Sequence, residues 1–392
     1  MSDFISGTWA VLQRELRRIV AQPIYIVLMA VLPLVSFVFF AALFEKGIAR
    51  NIPIAVVDND HSDLSRTLVR MIGETPTAMV SYEAQDMYEA ERLMREGRIG
   101  AVVLIPSDFA KNILNNRQTN VDAYVTGSNI TVNGLLSKDI QTAVTTFSAG
   151  IQIQLLTKQG LTERQAMAQL MPVRFMKHIL FNPYINYGYY LSSGFMPMML
   201  LIFTIMATIF TIGVELKRST AGEWFATARG SVMAAVTGKL LPVMTVMFVV
   251  SVAMYVIMFN IVGMPLNGSM AMLLVGSLLF VMSYQAIGVL IVAVLANMRL
   301  ALSIGGGYSV LAFTFSGLTF PIMAMSPFMQ GVSRLFPFTY YTDLILDQAL
   351  RGAPAIYSVP DLCYISLFIL LSLLSLPRLR RICTQEKYWG KL

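Results

Sequence analysis

Apolar residues run in six long stretches free of charge: Ile24–Phe44, Phe195–Val214, Leu241–Val262, Met270–Ala296, Leu302–Phe320 and Leu362–Leu376. Most approach the ~20 residues that a helix needs to cross a bilayer, and Tyr357–Asp361 can extend the last. Ahead of the first run, Ile5, Trp9, Leu12, Leu16 and Ile19 recur at alternating spacings of four and three, which is one face of a helix. Gln13, Arg14, Arg17 and Arg18 fall away from that face. The pattern predicts an amphipathic helix lying on the inner leaflet and turning into the membrane at Pro23. The first run is too long for the apolar core of a secretory signal, and no small-x-small cleavage site follows it. It reads as an uncleaved anchor.

Between the first two runs the pattern changes to that of a water-exposed domain. IPIAVVD (Ile52–Asp58), Ala78–Tyr82, Ala101–Ile105 and Val121–Val125 read as strands. Ser62–Gly73, Ala84–Arg95 and a segment from Pro106 to Asn115 read as the helices between them, which predicts a small α/β domain. A longer helix follows, with Leu136, Ile140, Val144, Phe147, Ile151 and Leu155 on one stripe. Gly160 interrupts it, and Thr162 restarts a helix to about Met171. Tyr184, Tyr187, Tyr189 and Tyr190 then gather just before the second run, as in an aromatic belt at the outer interface. The later outside segments are Gly263–Ser269 and Pro321–Pro360, the second long enough for two half-helices.

Composition agrees with a membrane protein. Of 392 residues, 56% are hydrophobic and 13% charged, with a mean hydropathy of +0.64. A soluble domain carries about 25% charged residues, so a soluble enzyme, a disordered chain and a disulfide scaffold are excluded. Cys363 and Cys383, with His61 and His178, are too few for a disulfide framework or a zinc site. The net charge of +7 is a topology signal that needs no nucleic acid to explain it. Six spans place both termini on one side, and that side collects thirteen Lys and Arg against five acids, while the other holds sixteen against seventeen. By the positive-inside rule the basic side is cytoplasmic. The expected fold is an α-helical integral membrane protein with six transmembrane helices and an inserted extracytoplasmic α/β domain, multi-pass in the cytoplasmic membrane. Its parts are an interface helix over 1–22, a first span over 23–44, the outside domain with its helical stalk over 45–194, five spans over 195–377 and a basic tail over 378–392.

The six runs contain no ionisable residue, whereas proton- and ion-coupled transporters need such groups at membrane depth. No GxxxxGK[S/T] phosphate loop occurs either; Gly238-Lys239-Leu240 lacks both the glycine spacing and the hydroxyl. No cofactor is expected to bind directly, and any ATP-driven movement has to draw on a separate ATPase chain. The one sizeable cytoplasmic connection is 215–239, ELKRSTAGEWFATARGSVMAAVTGK, with Gly222 as a hinge and Trp224-Phe225 as an exposed aromatic pair. Two readings stay open for it: a solvated loop at the inner interface, or a short helix that docks in a partner's groove.

The order of segments, the opening AVVDNDHSDLSR (Ala55–Arg66) and the stretch FSGLTFPIMAMSPFMQGVSRLFPFTYYTDLILDQALRG (Phe315–Gly352) resemble the permease subunits of ABC-2 type exporters, above all those paired with multidrug-type ATPases. The resemblance implies a coupling helix inserted into an ATPase, for which Glu215, Lys217, Arg218, Thr220, Gly222 and Glu223 supply the residue types in an altered spacing. Trp224 and Phe225 would be its aromatic anchors. It also implies re-entrant outer helices reached through a small-residue turn and a proline, here Gly317 and Pro321. The partners it implies are an ABC ATPase subunit and a second permease, identical or related, in a lipid membrane, with a periplasmic adaptor as a further candidate and no nucleic acid. The cargo would be amphipathic or hydrophobic: a drug, lipid or lipid-linked molecule. The rival is a receptor or scaffold whose outside domain binds a ligand or an envelope partner; the short cytoplasmic tail argues against it.

Other residues carry two readings each. Gly305, Gly306 and Gly307 allow close helix packing or a gating hinge. Asp343 and Asp347, one turn apart beside Tyr340 and Tyr341, are a solvated helix face or an exit contact for cargo. Asp58, Asp60 and Asp63 suggest a Ca²⁺ loop but lack its glycine and its final glutamate, so a strand end and helix cap is favoured. The 26 methionines are lipid- or core-facing, and some can line an adaptable apolar path.

Overall fold

The computed structural model describes residues 2–45, 47, 49–170, 178–183 and 185–390. Tyr184 and the end of the helix expected at Met171 lie outside the described residues. Contacts divide the chain into two compact units, one of Met1–Gly47 with Leu180–Leu392 and one of Ile48–Ile179.

The chain opens with α1 (Ser2–Ala21) and, after Gln22, α2 (Pro23–Leu43), which relaxes into a π-turn at Val27–Val31. Proline at the first position of α2 gives up an amide that needs no partner there and sets the bend between the two helices. On α1, Ile5 and Trp9 remain about 60% exposed, as expected of a face left for lipid. The opposite face, through Gly7, Val11 and Glu15, is buried in protein.

The second unit follows. Its elements are β1 (Ile52–Asp58), α3 (Asp63–Gly73), β2 (Ala78–Glu83), α4 (Met87–Arg95), β3 (Ala101–Ile105), α5 (Phe109–Leu114), β4 (Asp122–Val125), α6 (Ile130–Lys158) and α7 (Glu163–Leu170). The sheet order is β2-β1-β3-β4, with β1 parallel to β2 and β3, and β4 antiparallel at the edge. β1 is apolar throughout because both faces are covered. Ile54 and Val56 face Leu68, Ile72, Leu136 and Ile140, whereas Ala55 and Val57 face Ala90 and Leu93. The aspartates at the end of β1 are structural. Asp58 accepts from the Asp60 and His61 amides and the Ser65 hydroxyl, and Asp60 accepts from the Ala110 amide. These bonds use the oxygens that a Ca²⁺ loop would offer.

The first unit resumes with α8 (Tyr187–Lys217), α9 (Ala221–Thr227), α10 (Val232–Ile261), α11 (Met270–Leu295), α12 (Met298–Thr314), α13 (Pro327–Ser333), α14 (Pro337–Ile345) and α15 (Ala355–Thr384). Among the described residues, five helices are long and apolar enough to cross a membrane: α2, α8, α10, α11 and α15. The expected span Leu302–Phe320 is shorter than its apolar run. α12 ends at Thr314 after 17 residues, a rise of about 26 Å against a hydrocarbon core of about 30 Å. The Ser316 hydroxyl takes the Phe313 carbonyl, and Gly317 adopts φ +90°, a conformation that side chains avoid, so the helix stops there. Pro321, α13 and α14 follow as short pieces.

Candidate functional site

The sequence places Glu215 and Lys239 at the two ends of the cytoplasmic loop. In the structure both belong to long helices, and both are fully buried. Lys239 Nζ lies 2.6 Å from Glu15 Oε2 and 2.8 Å from Glu215 Oε1. Arg14 approaches Glu215 at 3.1 Å, and Arg18 and the Thr220 hydroxyl also donate to that carboxylate. Five charges from α1, α8 and α10 thus share one site, with three bases against two acids. Glu215 ends α8, where the helix dipole disfavours an anion; the surrounding cations reverse that penalty. Ion pairs taken out of water gain little net stability, yet losing one partner is expensive, so the cluster enforces the arrangement of the three helices.

Close backbone approach makes the cluster possible. A Cβ on Gly238 would fall 2.5 Å from the Thr8 carbonyl oxygen of α1. Glycine there lets α1 lie directly on α10 and carries Glu15 to Lys239.

The loop between α8 and α10 corrects two expectations. Trp224 is 0% exposed, with Nε1 donating to the Ala235 carbonyl at 3.2 Å and its ring 5.0 Å from Lys239 Nζ. It is a buried wedge behind the charge cluster, not an exposed aromatic anchor, because the turn after α8 rolls this face of α9 inward. Phe225 is half-buried against the same core. Gly222 is not a free hinge either. A Cβ there would meet the Trp389 ring at 2.7 Å, and the Gly390 amide donates to the Leu216 carbonyl, so the C-terminal tail packs onto α9 and the end of α8. The exposed rim consists of Lys217, Arg218, Glu223 and Arg229, with Asp3 of α1 paired to Arg229 at 2.7 Å. Glu223 stays 76% exposed and only grazes Arg14 at 3.9 Å.

The remaining candidates separate. A Cβ on Gly305 would clash with Ile209 at 2.7 Å and one on Gly306 would press on the Met206 methyl at 3.2 Å, whereas one on Gly307 would meet nothing within 4 Å. Tyr341, expected as an exit contact, is fully buried: its ring stacks on Phe280 at 4.0 Å and its hydroxyl bonds Tyr255 and Ser277. Tyr340 stacks instead on Tyr364 at 4.8 Å, at the surface. Asp347 pairs with Arg351 at 2.5 Å. Burial pushes the Asp343 carboxyl up to about 6, against the pull of Arg351 and with a push from Asp347.

Sequence reasoning missed Glu15, Arg14 and Arg18 as members of a site, and Trp389 as a packing residue. The legible signal was Glu15 itself, in line with Gly7 and Val11 on the helix face opposite Ile5 and Trp9.

Residues 23–376 match the model of the ABC-2 family transporter protein. The chain belongs to that family, and with several long apolar helices it is a multi-pass membrane protein. A search of curated proteins gives no match.

Proposed function

We propose that this chain is the membrane-spanning subunit of an ATP-driven ABC-2 exporter that hydrolyses no ATP itself and receives a separate ATPase at α9. The observation that carries the reading is the buried charge cluster. It fastens α9 and α1 to the cytoplasmic ends of α8 and α10, so a push on α9 reaches two long helices without slack. Glu223, Lys217, Arg218 and Arg229 form the charged rim that meets the ATPase, and rim charges chiefly set orientation and association rate. In this reading α12 is the sixth span, completed by neighbouring helices, and both termini are cytoplasmic. Residues 48–179 are then extracytoplasmic, and a second permease completes the path. The cargo is amphipathic or hydrophobic, in keeping with six apolar runs that carry no ionisable residue.

Two measurements test it. Co-purification with the candidate ABC ATPase, and transport in lipid vesicles, should fall about tenfold in the double variant Glu223→Lys with Arg229→Glu, at unchanged membrane abundance. Unchanged binding and transport would place the ATPase elsewhere. For orientation, single cysteines at Asn116 and Ser219, with Cys363 replaced by serine, should differ in intact spheroplasts. Asn116→Cys should react with an impermeant thiol reagent and Ser219→Cys only after lysis; the reverse pattern overturns the map.

A further inference from the structure

The α/β unit has a recess of about 420 Å³ between α6 and the loop that follows α5. That volume lies in the range of small-molecule sites, roughly 300–1,000 Å³. Its floor is apolar. Phe109 and Phe147 stack at 5.9 Å and are themselves well packed, so the floor exists before anything binds, and Leu155 extends it. Its rim is polar: Ser148 and Gln152 lie one turn apart on α6, and Arg117 stands across from them on the loop. Arg117 is the single charge in the lining, which contains no carboxylate, and among the described residues no acid pairs with it.

A preformed apolar floor beside one uncompensated cation has a defined chemical complement. Water is a poor occupant over such a floor, because it finds too few partners there. A cationic amphiphile would bring its charge to Arg117 and find no acid. An anionic head would gain a charge-assisted hydrogen bond from the guanidinium while its apolar body covered the rings. We propose that this recess binds a small amphipathic molecule, its apolar body on Phe109 and Phe147 and its anionic head at Arg117. The inference goes beyond the exporter reading and does not depend on it: a receptor carrying this unit would bind the same molecule.

The test uses the full chain in nanodiscs of neutral lipid, with Cys363→Ser to remove the exposed native thiol and Gln152→Cys as a reporter on the rim. Labelling by a water-soluble maleimide is followed against decanoate, and against decyltrimethylammonium as a probe of the same tail and opposite charge. Decanoate should slow labelling saturably and decyltrimethylammonium should not. Adding Arg117→Gln, a change at an exposed side chain, should raise the half-protecting decanoate concentration about tenfold. Ser148→Trp, which fills the recess from its rim, should abolish the decanoate dependence. Tyr88→Cys, exposed on the same unit, is the control for fold and for decanoate in the bilayer, and its labelling should stay constant. The proposal is overturned by equal protection from both probes, by no protection, by an unchanged concentration in Arg117→Gln, or by a Gln152→Cys that is unreactive without any probe.

Discussion

Lys239→Met should remove most of the folded protein from the membrane. Methionine preserves the length and packing of the lysine stem and deletes only its charge. Lys239 sits between two carboxylates at 2.6 and 2.8 Å, and neither Glu15 nor Glu215 reaches water. Without the ammonium Glu15 keeps only Arg18, at 3.9 Å, while Glu215 retains Arg14 and Arg18. Removing one partner of a buried pair costs about 3–5 kcal/mol, against a total stability of roughly 5–15 kcal/mol for a typical domain. Membrane abundance and the melting temperature in nanodiscs should both drop steeply. Glu15→Gln in the same chain removes the stranded charge and should recover a substantial part of the loss. A Lys239→Met protein that melts like wild type would mean that the three helices are held by packing alone, and the cluster would lose its place as the joint beneath α9.

That cluster shows where the sequence can be read and where it cannot. The elements themselves were legible, because each announces itself within a short window. β1 is a continuous apolar run, the stripe from Leu136 to Phe147 faces the sheet as its spacing requires, and the long apolar helices fall on the apolar runs. The end of α12 was less so: hydropathy continues to Phe320, but the local turn chemistry of Ser316 and Gly317 decides the boundary. The site was not legible, because its partners are far apart in the chain. Glu15 meets Lys239 across 224 positions, and Arg18 meets Glu215 across 197. No periodicity within a helix reports such a pairing. A charged residue near the end of an apolar run also looks like an ordinary interfacial anchor. Only the approach permitted by Gly238 turns Lys239 inward, and the meaning of that glycine depends on α1 lying against it.

Trp224 is the sharpest instance, and it leads to a prediction opposite to the one its sequence context suggests. Between Glu223 and Phe225, in a stretch of mixed charge, it resembles a surface anchor waiting for a partner. In the fold it fills the space behind Lys239 and holds the Ala235 carbonyl. Trp224→Ala should therefore cost about 3–5 kcal/mol, as expected for deleting a large aromatic side chain from a core. It also removes the indole's hydrogen bond to the Ala235 carbonyl and strips the lysine of the ring beside it. The expected outcome is loss of folded protein, seen as low abundance and a lowered melting temperature, with ATPase binding falling only in proportion. Trp224→Phe keeps most of the packing and loses the indole donor, so it should melt between the two. Abundance separates this from the docking alternative. If Trp224→Ala accumulates and melts normally but no longer binds the ATPase, the indole is a recognition anchor and its burial in the free chain must open on binding. If ATPase retention per folded molecule is unchanged, recognition belongs to the exposed rim of Glu223, Lys217, Arg218 and Arg229, and Trp224 serves it from behind by keeping α9 rigid against the charge cluster.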